Sequence, residues 1–302
     1  MNKTIQMIHA PTNLGLRKHP DGRERGCDKL PDTFEQLGLH SAIGAKGTQR
    51  ISKPEHPIEE VFDERTLNGR RVATYSVYLA NVVQKVLDDD DFSLVLGGDC
   101  SVLVGSALAL ARKGTYGLIH MDAHPDYYHQ GNRKQAVVAG MDLAIVTGTG
   151  TKLLTNLEEQ APYIQPKHVL SIGYRESDPE QDIIEEAAIA GISFCSAEQI
   201  RREGIEKTAT LIQNFMDRTH EVEGYWLHLD ADVLDASIMP CVDCPESNGL
   251  TWDELEYILQ TILNSSLIVG MTVAILDPDL DSVAQDVTRT FCNMLIDVLG
   301  GR

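Results

Sequence analysis

Short runs of Val, Ile and Leu alternate along this chain with longer amphipathic stretches, and this alternation restricts the fold more than any other feature. Short runs that are apolar on both faces are typical of buried parallel strands, and amphipathic stretches between them are typical of helices that cover a sheet on both sides. The sequence therefore predicts an α/β fold of three layers, α/β/α, with a mainly parallel sheet. The predicted strands are Ile5–His9, Ser93–Leu96, Tyr116–Met121, His168–Ile172, Ile192–Phe194, Tyr225–Leu229 and Ile268–Leu276. The predicted helices are Arg71–Leu87, Val102–Arg112, Ala197–Arg218 and Trp252–Asn264.

Length and composition indicate one folded domain. A chain of 302 residues with 42% hydrophobic and 24% charged side chains can bury a large core. No internal repeat, low-complexity tract or Pro/Ser-rich linker divides it, so we expect a single domain over residues 1–302. The six cysteines are too sparse for a disulfide framework in a chain of this length.

The charge and the hydropathy of the chain argue against nucleic-acid and membrane partners. A formal net charge of −19 without a dense Lys/Arg cluster does not suit a nucleic-acid binder. No apolar stretch approaches the ~20 residues that span a bilayer, and the first residues lack the apolar core of a secretory signal. We therefore expect a cytoplasmic protein whose partner is a small-molecule substrate, with no nucleic acid and no membrane.

Three clusters containing carboxylates follow predicted strands. They are GGDC at Gly97–Cys100, DAHPD at Asp122–Asp126 and DADVLD at Asp230–Asp235. Parallel α/β sheets build their sites at the carboxyl ends of their strands, so these three clusters should converge. Scattered aspartates are common in an acidic protein, but this shared position at strand ends is hard to assign to chance.

The spacing within two of the clusters favours a metal site. In an extended segment Asp122, His124 and Asp126 alternate by two and point to one side, and Asp230 and Asp232 repeat this pattern. Buried carboxylates at this density repel one another unless a cation neutralises them or they bind protons. The sequence thus predicts one or two divalent cations at this edge of the sheet.

Other side chains of ligand type have simpler explanations. His9, His120 and His228 fall within predicted strands, where we expect an imidazole that packs in the core or flanks the site rather than a ligand. Cys241 and Cys244 form a C-x-x-C in a loop, but no second pair at zinc spacing accompanies them.

The same clusters carry a family resemblance. The order GGDCS, DAHPD, HLDADVLD and NGLT resembles the arginase/agmatinase (ureohydrolase) superfamily, whose usual forms are GGDHS, DAHxD, SxDxDxxDP and GGLT. The segment IGYRESDPE at Ile172–Glu180 is similar to the arginase segment that contains substrate-contacting acidic residues. The match runs from about the first predicted strand to the last, and it implies an arginase-like fold.

The resemblance also implies a site with two metal ions, most often manganese. Asp122 and Asp230 would be shared between the ions, Cys100 and Asp126 would complete one, and His124 and Asp232 the other. A metal-bridging hydroxide would attack the planar carbon of a guanidine or amidine. Asp126 would hydrogen-bond that hydroxide as a catalytic residue. Relatives often form homo-oligomers, which the resemblance extends to this chain.

One metal ligand departs from the family pattern. Cys100 stands where the family has histidine, and a thiolate is a softer ligand than imidazole and less suited to manganese. Zn²⁺ or Fe²⁺ therefore joins Mn²⁺ as a candidate for the two divalent ions. A small buried filler is the alternative role for this cysteine.

The substrate-contacting positions depart further. Ile275 aligns with a glutamate of arginases and cannot ion-pair with a guanidinium, so Asp277 and Glu246 are the alternatives for that role. Ala139 aligns with the histidine thought to shuttle protons, and His129 is the nearest replacement. Asp178 aligns with an acid that binds the substrate amino group. These departures disfavour L-arginine itself and favour a neutral or N-substituted group.

The sequence thus supports a metal-dependent hydrolase of a linear C–N bond in a small guanidine, modified guanidine or amidine compound. A catalytically silent ureohydrolase homologue, kept as a binding or structural subunit, is the first alternative. A different metal-assisted hydrolase, with Cys100 or Cys244 as nucleophile, is the second.

Overall fold

The computed structural model describes residues 3–133, 136–176, 180–218 and 220–300. Its strands, in chain order, are β1 (Ile5–Ala10), β2 (Thr48–Arg50), β3 (Phe62–Asp63), β4 (Thr66–Leu67), β5 (Phe92–Gly97), β6 (Gly117–Met121), β7 (Val169–Ile172), β8 (Ser193–Cys195), β9 (Tyr225–Asp230) and β10 (Ile268–Ala274). Its α-helices are α1 (Leu30–Gln36), α2 (Leu39–Ala42), α3 (Gly69–Asp88), α4 (Val102–Lys113), α5 (Asp142–Val146), α6 (Lys152–Thr155), α7 (Gln181–Ala190), α8 (Ala197–Glu203), α9 (Ile205–Arg218), α10 (Trp252–Leu263) and α11 (Asp286–Leu299). Among these described residues, no helix is long and apolar enough to cross a membrane.

Eight of the strands form one sheet in the order β2-β1-β5-β10-β9-β6-β7-β8, and each neighbouring pair is parallel. Strands β3 and β4 form a separate antiparallel pair. The helices α3, α4, α5 and α6 contact one another in succession, as do α8, α9, α10 and α11. The predicted fold class, a three-layer α/β/α domain with a mainly parallel sheet, is confirmed.

The centre of the sheet is buried on both faces. Every residue of β5, β6, β9 and β10 is buried, as expected for parallel strands covered by helices. The few polar side chains on these strands need partners, and Trp226 Nε1 donates to Thr272 Oγ1 at 2.8 Å between β9 and β10. His120 and His228, in contrast, carry buried ring nitrogens without a hydrogen-bond partner in the part of the chain that the structure describes.

The order of the strands places the site. Strands β9 and β10 lie between β5 and β6, so the clusters after β5, β6 and β9 meet at one edge of the sheet. In the register of β6 and β9, Met121 pairs with Leu229, which brings Asp122 beside Asp230. This edge is the carboxyl end of the strands, where open α/β sheets bind ligands.

Two predicted elements end differently in the structure. The predicted strand Ile268–Leu276 stops at Ala274 because Ile275 takes a positive φ of 69°. The predicted helix Ala197–Arg218 is two helices, α8 and α9, separated by Gly204 with φ 92°. The prediction did not include β2, β3, β4, α1, α2, α5, α6, α7 and α11.

Candidate metal centre

Five carboxylates and a thiol gather at the carboxyl edge of the central strands. Cys100 follows β5, Asp122 and Asp126 follow β6, and Asp230 ends β9 with Asp232 just after it. The fifth carboxylate, Asp142, opens α5. All six side chains are buried, so their charges cannot be screened by bulk water.

One group of possible ligands consists of Asp122, His124 and Asp232. His124 Nδ1 lies 3.1 Å from Asp232 Oδ2 and 3.5 Å from Asp122 Oδ1. Backbone donors hold the two carboxylates in place: His124 N–H donates to Asp122 Oδ1 at 2.7 Å, and Ala123 N–H donates to Asp232 Oδ1 at 3.1 Å. Ligand atoms of the three residues lie within 4.8 Å of one another, which suits a shared cation.

Asp230, Cys100 and Asp126 are the other three expected ligands. Cys100 Sγ donates to Asp230 Oδ2 at 2.8 Å, and Asp230 Oδ1 accepts the backbone N–H of Asp232 at 2.7 Å. Asp126 has a φ of 43°, a left-handed conformation that aspartate tolerates better than most residues. Asp122 and Asp126 also share a group with His120 in which ligand atoms lie within 4.8 Å.

A buried arginine fixes the turn that carries Asp232. Arg175 Nη2 donates to the carbonyl oxygens of Asp232 and Leu234, each at 3.1 Å, and Nη1 donates to the carbonyl of Gly173. Its guanidinium therefore holds backbone of the 3₁₀ turn Ala231–Val233 rather than facing the carboxylates as a counter-ion.

Burial and neighbouring charges shift the pKa values of the cluster. Burial first, and then neighbouring carboxylates, raise the pKa of Asp122, Asp126 and Asp230. Burial also raises the pKa of Asp232, but the His124 imidazolium outweighs it, so the pKa of Asp232 is lowered. His124 has the opposite balance, because Asp232 and Asp122 raise its pKa against the effect of burial.

The side chains present fit divalent metal ions. Asp122 Oδ2 is buried and has no hydrogen-bond partner among the described residues, although backbone donors fix the other oxygen. Carboxylate oxygens and an imidazole nitrogen suit manganese or zinc, and the Cys100 thiol adds a soft donor. The structure thus brings together all six predicted metal ligands: Cys100, Asp122, His124, Asp126, Asp230 and Asp232.

The cluster borders a cavity of about 520 Å³, which Asp126, Asp230 and Asp232 help to line. Arginines and acidic residues line the walls together, and Arg25 Nη1 lies 2.5 Å from Asp243 Oδ1. The Arg133 guanidinium stacks over the Tyr128 ring, 4.2 Å from its centroid, and the Tyr128 hydroxyl donates to Glu180. The other polar or charged lining residues are Arg17, His124, Asp126, Arg175, Asp230, Asp232, Cys244 and Glu246, and the apolar ones are Leu16, Ala123, Ala136, Val137, Ala139, Gly140 and Ile275.

The predicted substrate and shuttle residues are dispersed. Glu246 lines the cavity, as does Ile275, the residue aligned with the arginase glutamate. Asp277 does not line it: its Oδ2 accepts from Gly26 N–H at 2.7 Å and its Oδ1 from Asp279 N–H at 2.9 Å. Asp178 lies outside the described residues.

His129 also lies away from the cavity. Its Nε2 is 2.9 Å from Glu186 Oε1, and the ring borders a separate depression with Glu64, Arg65 and Gln130. The expected role of His129 in moving protons therefore has no direct path to the carboxylate cluster.

The surroundings of the two cysteines considered as nucleophiles favour the thiol form. Burial and then Asp230 raise the pKa of Cys100, and burial and then Asp243 raise the pKa of Cys244 to about 11. A thiolate is the reactive form of cysteine, and neither environment favours it.

Sequence reasoning missed several residues of the site. Asp142 occurs singly in an apolar segment, and no spacing links it to the other clusters. The arginines of the wall come from loops far apart in the chain, at Arg17, Arg25 and Arg133, so only the folded chain reveals them.

The fold and the site together define an α/β/α protein with a candidate binuclear metal centre at the carboxyl edge of its sheet. Comparison with known proteins specifies the family. A sequence model of the Arginase family matches residues 6–300, and the chain belongs to that family. Proteins of this family depend on a binuclear metal centre. The resemblance found from the motifs is thereby confirmed.

Individual relatives match over nearly the whole chain. An arginase from Bacillus subtilis (strain 168) is 30% identical over 286 residues, which cover 93% of each chain. An arginase from Bacillus caldovelox is 31% identical over 288 residues, 92% of each. The native crystal structure of arginase from Bacillus caldovelox superimposes with a TM-score of 0.85, 28% identity and 99% coverage of both chains.

Proposed function

We propose that this protein is a metal-dependent hydrolase of a linear, non-peptide C–N bond in a small guanidine, modified guanidine or amidine. The observation that supports this proposal most strongly is that His124, Asp126, Asp230 and Asp232 line one cavity, with Asp122 beside His124 and Asp232. Four acidic and imidazole groups that line one cavity are suited to hold metal ions and expose them to a substrate.

The proposed chemistry divides between the ions and the chain. Two divalent ions would activate water and polarise the planar carbon. Cys100 and Asp126 would hold one ion, His124 and Asp232 would hold the other, and Asp122 and Asp230 would contribute to both. Asp126 lines the cavity and accepts the proton of the attacking water. The water oxygen adds to the carbon, the C–N bond breaks, and the amine leaves with a proton; a guanidine yields urea and an amidine yields an amide.

The substrate is one whose reacting group does not require an acidic partner at residue 275. Ile275 contributes an apolar surface to the cavity where the family has glutamate, so it cannot neutralise a guanidinium. Arg17, Arg25 and Arg133 line the same cavity and suit a substrate with a carboxylate at its far end. A neutral or N-substituted amidine with an acidic tail fits these features better than L-arginine does.

Glu246 and Asp126 have the most favourable positions among the other residues expected to act on substrate. Both line the cavity, whereas Asp277 is engaged by two backbone N–H groups and His129 by Glu186. We propose Glu246 for substrate binding and Asp126 for the proton step. A single cytoplasmic domain that assembles as a homo-oligomer remains part of the proposal.

A release assay tests the proposal. The chelator-stripped protein, reconstituted with Mn²⁺ or Zn²⁺, is screened for urea and ammonia release from guanidines, N-hydroxyguanidines and formimidoyl compounds, with and without a carboxylate. We expect turnover that requires metal, and Asp126→Asn should lower kcat by about a hundredfold or more. Asp279→Asn, which removes an acidic side chain outside the cavity, serves as the control and should keep full turnover.

The silent-homologue alternative has one structural argument in its favour. Ile275 and Ala139 both line the cavity where the family has glutamate and histidine, so two charged contacts to substrate are missing. Stoichiometric metal without turnover of any compound in the screen would support this alternative and contradict the hydrolase.

A further inference from the structure

A second polar cluster lies buried beside the candidate metal centre. It consists of His120 on β6, His228 on β9 and Asp142 at the start of α5, and all three side chains are completely buried. His120 and His228 pair in the register of the two strands, and their rings stack with centroids 5.2 Å apart and planes 15° from parallel. The strands thus place two imidazoles side by side, facing the same carboxylate.

The three side chains have no hydrogen bonds among the described residues. Both ring nitrogens of each histidine and both carboxylate oxygens of Asp142 are buried without a partner. His120 Nε2 lies 3.5 Å from Asp142 Oδ1, and His228 Nε2 lies 3.6 Å from Asp142 Oδ2. Hydrogen bonds between nitrogen and oxygen span about 2.7–3.2 Å, so these pairs are too far apart for direct bonding.

The same distances fit a shared cation. Zinc bonds of about 2.0–2.1 Å to nitrogen and oxygen place neighbouring ligands of a tetrahedron about 3.4 Å apart. The separations of 3.5 and 3.6 Å are close to that value. Ligand atoms of His120, Asp142 and His228 all lie within 4.8 Å of one another, and two imidazoles with one carboxylate are a common zinc ligand set.

We propose that His120, Asp142 and His228 bind a third divalent cation of the Zn²⁺ type, deeper in the sheet than the expected pair. Asp122 supplies the link, because its unpartnered Oδ2 lies 3.9 Å from His120 Nε2 and can reach the additional ion. The charge of the cluster also supports a third ion. Two divalent cations would neutralise the negative charges of four carboxylates. Asp142 is a fifth buried carboxylate at this edge of the sheet, and a third cation would neutralise its charge.

A competing histidine cluster outside the candidate metal centre is formed by His9, Glu35 and His40. There His9 Nε2 and His40 Nε2 lie only 2.8 Å apart, so the two nitrogens already share a hydrogen bond. That separation is shorter than the edge of a zinc tetrahedron. His40→Gln is therefore a matched control, since it removes a histidine of the competing cluster and leaves the proposed site intact.

Metal counting on the full-length protein tests the third site independently of catalysis. The stripped protein is titrated with Zn²⁺, desalted and analysed by mass spectrometry. The wild type and His40→Gln should retain three equivalents per chain, whereas Asp142→Leu, in which an apolar side chain of similar size replaces the carboxylate, should retain two. Two equivalents in the wild type, or three in Asp142→Leu, would overturn the proposal. Thermal unfolding of each variant verifies that it is folded.

A measurement on the wild type alone avoids dependence on any variant. Anomalous diffraction at the zinc edge from Zn²⁺-loaded crystals should show a peak between His120, Asp142 and His228. Density without that peak would overturn the site. The release assay separates this proposal from the hydrolase proposal, because a protein with two active-site ions can turn over substrate whether or not the third ion binds.

Discussion

Backbone contacts hold Ile275, which lines the cavity where the family has glutamate, in a left-handed conformation. Its N–H donates to the carbonyl of Gly98 at 2.8 Å, and its carbonyl accepts from Cys27 Sγ at 3.3 Å. These contacts hold a β-branched residue at φ 69°, a conformation that costs of order 1–3 kcal/mol. The alignment with a family glutamate was visible in the sequence, but the left-handed backbone was not, because it arises from contacts with two distant segments.

Replacing Ile275 with glutamate should change which substrate charge the cavity accepts. In Ile275→Glu, we expect the kcat/KM of a cationic guanidine, divided by that of a neutral amidine, to rise about tenfold or more, because a charge-assisted hydrogen bond contributes ~1.5–3 kcal/mol. Ile275→Gln, of similar size but neutral, is the control. Equal ratios in the two variants would show that charge at this position does not select the substrate.

Cys100 should influence which metal the site prefers. Its thiol contacts Asp230, the carboxylate expected to be shared between the ions. In Cys100→His, we expect the ratio of Mn²⁺ to Zn²⁺ affinity to rise about tenfold, since imidazole is a harder donor than thiolate. Competition binding measures the ratio, with Cys100→Ala as the variant that removes the donor. An unchanged ratio would mean that Cys100 is a filler and not a ligand.

At the scale of elements, the motifs predicted which strand ends lie at the same edge of the sheet, but not how closely the loops after them pack together. The strands that carry GGDC, DAHPD and DADVLD were predicted within a few residues, because buried apolar runs are distinct in the sequence. The break at Gly204 and the helix α7 were missed, since an amphipathic pattern does not show where a helix stops. The close approach of Gly98 to the backbone of Thr12 could not be predicted from the sequence either.

Gly98 directly follows β5 and packs against Thr12, which follows β1. We expect Gly98→Ala to destabilise the protein strongly. A Cβ there would lie 1.7 Å from the carbonyl oxygen of Thr12, a backbone atom that cannot rotate away. The free energy of unfolding should fall by about 3 kcal/mol or more. Urea denaturation measures it, and Gly47→Ala, whose Cβ would meet only the Gln6 side chain at 3.5 Å, should change it little.

At the scale of the whole molecule, the strand order brings five buried aspartates to one edge of the sheet. The sequence predicted the carboxylates of the DAHPD and DADVLD clusters because their spacing at strand ends is regular. It did not predict that Asp142, His120 and His228 meet, because three single residues on three elements leave no pattern. We interpreted His120 and His228 as core or flanking imidazoles, and their unpartnered nitrogens are what changes that interpretation.

The pH dependence of stability should reveal this arrangement. Asp122, Asp126 and Asp230 have raised pKa values in the folded protein, so the folded state retains protons that the unfolded chain releases. That contribution is fully present below the unfolded carboxyl pKa of about 3.9, and it is lost as pH rises through the folded pKa values. The metal-free protein should therefore lose stability as pH rises above about 3.9 and through the raised pKa values of the folded state.

Metal should restore that stability, and more at the higher pH. At about a hundred times its Kd, an ion that binds only the folded state adds ~2.7 kcal/mol per site. We expect the gain in Tm on adding Mn²⁺ to be larger at about pH 8 than at about pH 5.5, because protons compete for the same carboxylates. An equal gain at both values would indicate that the ions bind elsewhere.

The most direct test of whether these carboxylates bind metal is the metal content of the reconstituted, desalted protein, compared with that of Asp230→Asn. We expect at least two divalent ions per chain in the wild type, as in a two-metal site, and a clear loss when the shared carboxylate becomes an amide. A wild-type protein that retains no stoichiometric metal, or a variant that retains as much as the wild type, would contradict the central claim that these buried carboxylates are metal ligands.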